Sequence, residues 1–239
     1  MAAQEAVGTE AAFSFMKQTP LDMRMAAERR IKQRVAEVLK GRVEQAKEAV
    51  QRGEEFDYDG LAEELRAAVL PELSALVVDN ALRLSVEVGI GFDPAVINEL
   101  AVNWARDYSF ELVKGLTDTT RKVLAQATES FISTPGMTIG DIEKLIEPAF
   151  GSVRAEMIAV TETTRAYSAA TNELQGLLQQ QVPGLIVTKT WLTANDDLVC
   201  PICAPLHGKP ESEWIMEHPT GPPGHVNCRC DLALEFIGV

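Results

Sequence analysis

The stretch GHVNCRCDL, close to the end of the chain, places His225, Cys228 and Cys230 within six positions. Cys200 and Cys203 stand upstream in DDLVCPICAPLHGK, and none of the four cysteines or three histidines precedes Cys200. Thiolates and imidazoles gathered in this way are soft-metal ligands. A Cys-x-x-Cys knuckle lets two thiolates and nearby backbone N–H groups converge on a tetrahedral ion. Cys228 and Cys230 are two apart, so on an extended chain both side chains point to one face. The 24 residues between the pairs include His207, Gly208, Pro210, Pro219, Gly221, Pro222, Pro223 and Gly224. Such a loop is expected to have little core of its own, so a cross-link at its base has a clear role.

Zinc is the expected ion, in a structural role, because closed ligation leaves no position for a reactive water. Five candidates, Cys200, Cys203, His225, Cys228 and Cys230, exceed the needs of one tetrahedral site. Either His225 replaces one cysteine or it supports the site from outside the coordination shell. Disulfides are the weaker alternative. The chain has no basic segment followed by an apolar run at its start, which is the mark of secretion, so a reducing cytoplasm is expected.

Other metal chemistry fits poorly. Zinc deaminases pair His-x-Glu with Pro-Cys-x-x-Cys, and the chain has no His-x-Glu. A His-Glu-x-x-His protease helix is absent too. A zinc-supported nuclease built from His207, His218, His225 and Asn227 is the rival from the enzymes. Against it stands charge: the chain carries −13 overall. Residues 1–53 hold 10 Lys and Arg against 7 Asp and Glu, which leaves 12 against 28 for the remainder. That remainder repels a nucleic-acid backbone, so specific nucleic-acid binding is not expected. The apolar stretch LPELSALVVDNALRLSVEVGIGF is broken by Glu72, Asp79 and Arg83, so no membrane span is expected.

The elements that must position these ligands are mostly helical. Residues 1–20 are small and polar and read as a loose tail. Met23 to Arg52 has Ile31, Val35, Val38 and Leu39 at helical spacing, a stripe expected to pack on its own domain but sparse enough to suit a partner's groove. A second helix is expected from Tyr58 to Val88. Asp93-Pro94 starts a third, with Ile97, Leu100, Trp104, Tyr108 and Leu112 on one face and its end at Gly115. Thr117 or Thr119 would cap the next, which carries Val123, Ala127 and Phe131. In TPGMTIGDIEKLIEPAF, Thr138 is an N-cap with Asp141 as its capping-box partner.

The helix from about Ser152 has a seam of Val153, Met157, Val160, Thr164, Tyr167, Thr171, Leu174 and Leu178. Glu162 and Arg165 lie off it and are expected to form a surface ion pair. After Pro183-Gly184, LIVTKTWLT is β-branched and alternating, and LALEF is a second short strand.

Three blocks, RAEMIAVTETTRAYSAA, TWLTANDDLVCPICAPLHGK and PPGHVNCRC, resemble the signature of the phage Mu F-like minor head proteins, also called phage head morphogenesis proteins. The resemblance covers roughly residues 117–239. It puts Trp191, Asp196 and Asp197 on the family's Trp and acidic positions, and Cys200, Cys203, His225, Cys228 and Cys230 on its metal-binding ones. Many relatives carry Arg and His at the positions of Cys200 and Cys203, and an Asp is common where His207 stands.

The expected fold is α+β and predominantly helical. A tail (1–20) and an N-terminal helical region (21–116) precede a helix-plus-small-sheet domain (117–239) stapled by a zinc-binding Cys/His loop. The resemblance implies a non-enzymatic minor component of a tailed-phage or prophage head. It would be made in the host cytoplasm and built into the virion near the portal, with the portal or major capsid protein as partner and a role in assembly, DNA packaging or delivery. A zinc-ribbon adaptor is a further alternative. On this view the N-terminal region docks on the portal or inner capsid, a self-contained zinc lobe projects from it, and no room remains for an added toxin domain.

Overall fold

The computed structural model describes residues 20–87, 89 and 91–237. The tail expected over residues 1–20 therefore lies outside the described residues, save for Pro20. Helix α1 spans Pro20–Arg52, α2 Tyr58–Glu87, α3 Pro94–Ser133, α4 Ile139–Phe150 and α5 Ser152–Gln181. Strand β1 (Ile186–Leu192) pairs antiparallel with β2 (Asp231–Ile237), and the connection between them holds a 3-10 turn (Ala204–Leu206) and the single-turn α6 (Glu211–Trp214). The expected α+β class, mostly helical with a two-stranded sheet, is what the structure has.

Local chemistry explains the helix starts. Asp93 accepts from the Ala95 N–H at 2.9 Å with Pro94 at the first helical position. Thr138 and Asp141 form the expected capping box, each side chain taking the other's backbone N–H. The end expected at Gly115 is a correction. Helix α3 runs unbroken for 40 residues through Gly115, Thr117 and Thr119. A single exposed glycine costs a helix only about 1 kcal/mol, and the packing of α3 against α2 and α4 offsets that. The Leu112 side chain, expected on the α3 face, lies outside the described ones.

One large core joins all five long helices. The α1 stripe belongs to it: Ile31 and Val35 are fully buried, as is nearly all of Leu39, and Val38 packs at the edge. The stripe thus packs on its own domain, as expected, and its burial corrects the alternative of a helix that docks on a partner through it. Helix α5 is the centre of the molecule and packs on α1, α2, α3, α4 and both strands. Its burial is not confined to the expected seam. Thr161, Glu162, Thr163 and Thr164 are consecutive and all buried, whereas Val153 is exposed. A helix with apolar and hydroxyl side chains nearly all round is a core helix rather than an amphipathic one. Thr161 and Thr171 satisfy their hydroxyls on the carbonyls of Met157 and Tyr167, one turn back.

A second, smaller core lies under the sheet: Trp191, Trp214, Cys203, Cys228, Cys230 and Leu232. The two indoles meet edge to face at 5.5 Å. Trp191 is also bonded along its backbone to the loop, with its N–H donating to Lys209 O (3.0 Å) and its carbonyl accepting from Gly208 N–H (2.8 Å). The loop between the strands is thus better supported than its proline and glycine content implies.

Candidate metal centre

The knuckle forms as its spacing requires. The Cys203 N–H donates to Cys200 O at 3.1 Å and the Ala204 N–H to the same carbonyl at 2.9 Å, which folds Cys-Pro-Ile-Cys into a turn. Facing it, His225 to Cys228 form a second turn, closed by Cys228 N–H on His225 O (3.3 Å), with Asn227 in the left-handed region at φ 64°. Asparagine tolerates that conformation better than most residues. Asp196 and Arg229 tie the two turns together at 2.8 Å. Asp196 also accepts from the Leu198 N–H, which accounts for one of the two expected acidic positions.

All five expected ligand residues come together. Cys200, Cys203 and His225 have their ligand atoms within 4.8 Å of one another, as do Cys203, Cys228 and Cys230. Cys203 belongs to both groups. Cys200 Sγ lies 2.9 Å and Cys203 Sγ 3.3 Å from His225 Nε2, and Cys203 and Cys228 are 3.8 Å apart. Two sulfurs each about 2.3 Å from a tetrahedral zinc are separated by roughly 3.8 Å, so the last distance is the edge such an ion needs. His225 Nδ1 sits 2.7 Å from the Val226 carbonyl. An N–H donated there leaves Nε2 bare and aimed at the sulfurs, the tautomer that binds metal.

The thiols are free of disulfides, and Cys203, Cys228 and Cys230 are buried. Their acidities diverge. Hydrogen bonding from Cys230 brings the Cys228 thiol down to about 5 despite its burial. Burial and the adjacent Cys228 anion push Cys203 up to about 12, and the bond to Cys228 together with burial raises Cys230 as well. Of the three buried thiols only Cys228 is thus shifted toward its anion, and a divalent cation is what would let the other two ionise as well. Burial opposes charging of His225, but the Val226 carbonyl and the thiols beside it raise its pKa overall. The cavity among these side chains has a volume of about 20 Å³. A water-sized sphere occupies roughly 10–15 Å³ on this scale, so the cavity has room for an ion. The donor set fits a closed zinc site.

The remaining histidines do not join it. His207 Nδ1 accepts from the Thr193 N–H at 3.1 Å, and the His218 ring packs against Trp191 at 5.2 Å. Neither belongs to a ligand group among the described residues. The Glu162–Arg165 pair also departs from expectation. It is no surface pair: the Glu162 side chain is 8% exposed and lies 3.7 Å from Arg165 Nε. Burial raises its carboxyl to about 7, with Arg165 pulling the other way.

Sequence reasoning missed the residues that hold the loop from behind. Thr161 Oγ1 accepts from the Asn227 N–H (2.8 Å), Thr164 donates to Cys228 O (2.5 Å), and Arg24 donates to Cys230 O (3.2 Å). The run TETT, four consecutive polar residues in the middle of the helix, was the available signal.

Fold and site together define a helix-rich protein whose small sheet carries a closed Cys/His cluster. Residues 121–233 match the family model described as Phage Mu protein F like protein. This segment, which runs from within α3 to within β2 and holds the whole site, is similar to that family, and the similarity suggests a phage head morphogenesis protein. No curated protein and no solved structure matches the chain.

Proposed function

We propose that the chain is a minor head component of a tailed phage or prophage. It is made in the bacterial cytoplasm, is built into the head near the portal, and acts in assembly by binding, without chemical turnover. The family match over residues 121–233 carries this reading. Its partners are the portal or major capsid protein. A structural zinc ion held by the Cys200, Cys203, His225, Cys228 and Cys230 cluster staples the loop that joins β1 to β2. Support for binding over catalysis comes from the small size of the cavity at the cluster, the separate placement of His207 and His218, and the net charge of −13. No described helix is long and apolar enough to cross a membrane.

Mass spectrometry of purified heads tests the reading. The chain should be present at far fewer copies than the major capsid protein and should cross-link to the portal, and the isolated protein should carry about one zinc per chain, as a closed site does. A chain abundant in lysates but missing from purified heads would end the assembly role. A metal-free protein with four freely titrating thiols would end the zinc assignment while leaving the head assignment intact.

A further inference from the structure

The hydrogen bonds behind the metal cluster come from parts of the chain far from it in sequence. Arg24, in the second turn of α1, is 7% exposed. Its Nη1 donates to Cys230 O, a contact that spans 206 positions. Its Nη2 donates to Thr164 Oγ1 of α5, and that hydroxyl passes its own proton on to Cys228 O. The guanidinium is itself held in place, with Nε on Glu28 at 3.1 Å and its carbon 5.7 Å from the Tyr167 ring centre. The carbonyls of two candidate ligand residues are therefore fixed by one buried arginine and one threonine. Fixing them sets the backbone of Cys-Arg-Cys, and with it the direction in which both sulfurs point.

We propose that Arg24 and Thr164 are positioning residues for the metal, and that the start of α1 and the ion stabilise each other. The inference rests on the zinc assignment above. A planar guanidinium meets two acceptors at fixed angles, which a point charge on a flexible stem does not. Outer partners of metal ligands contribute about 10- to 100-fold to affinity, and linkage is reciprocal: what the helix gives to metal binding, the metal gives to docking of the helix. Occupancy of the site thereby governs how firmly the chain around Leu21 to Glu28 is held to the body of the protein.

The test uses full-length protein and zinc alone, with affinity read by competition against a chromophoric chelator. Arg24→Met keeps the apolar stem and Thr164→Val keeps the volume. Each should weaken zinc about tenfold or more while helical content and the visible spectrum of the cobalt-substituted protein stay unchanged. Thr164→Ser, which restores the hydroxyl, should bind like wild type. In wild type, chelation should speed hydrogen exchange over residues 21–28 more than over α2. If Arg24→Met fails to fold, Thr164→Val carries the same comparison. Wild type that takes up no zinc overturns the zinc assignment and this inference together. Wild type that binds zinc, with both variants equal to it and exchange in 21–28 indifferent to the chelator, overturns this inference alone.

Discussion

Glu162 shows what one buried carboxyl does to a core helix. It lies in the middle of α5 with Oε2 buried and accepting no hydrogen bond, and Arg165, its nearest cation at 3.7 Å, also lies against the Tyr108 ring. Burial disfavours the anion, so the folded-state pKa of about 7 stands above the ordinary carboxyl value of 4.5. The folded protein therefore binds more protons than the unfolded chain between those two values, and stability falls as pH rises through that window. Glu162→Gln removes the titration. Urea denaturation should find variant and wild type nearly equal near pH 4.5. The variant should gain steadily up to pH 7 and hold a constant advantage above it of at most about 3.5 kcal/mol, since one pKa unit is worth about 1.4 kcal/mol. Parallel curves across this range would show that Glu162 does not titrate as described.

At the scale of elements, the signals that were legible are those written into a few neighbouring residues. Asp93-Pro94 and Thr138 with Asp141 mark helix starts because a cap needs only its own turn. The Cys200/Cys203 part of the candidate site was legible for the same reason, since Cys-Pro-Ile-Cys closes its own turn. Gly115 misled because the same residue ends a helix when it is left-handed and merely weakens one when it is not. That difference is set by what packs on either side. A methyl group built at Gly115 would meet nothing within 4 Å. Gly115→Ala should accordingly stabilise the protein by about 0.5–1 kcal/mol, the helix-interior difference between the two residues. A drop in melting temperature would instead place a left-handed glycine, and a break in α3, at this position.

Across the whole molecule, what the sequence hid is what distant segments do to each other. The burial of Glu162 depends on helices and loop closing around α5, and the bond from Arg24 to Cys230 joins segments 206 positions apart. The same applies to α1. Its stripe is sparse along the sequence, yet Ala27, Ile31, Val35, Leu39, Ala46 and Val50 are all buried in the large core against α2, α4 and α5. Burying one aliphatic side chain of Val or Leu size contributes roughly 1.5–3 kcal/mol, and a domain of ordinary stability has about 5–15 kcal/mol in all. Removing the helix takes away most of that margin and uncovers core faces of α2, α4 and α5. Deleting residues 1–52 should therefore leave a chain that aggregates or is degraded, with broad gel-filtration behaviour, lost helical signal and weakened zinc binding. Failure of such a truncation to enter heads would then say nothing about docking, because the protein itself is lost. The informative variants are at exposed positions of α1 such as Leu21 and Met25. A truncated chain that elutes as a sharp monomer, keeps its remaining helices and carries a full complement of zinc would show that α1 is an appendage after all.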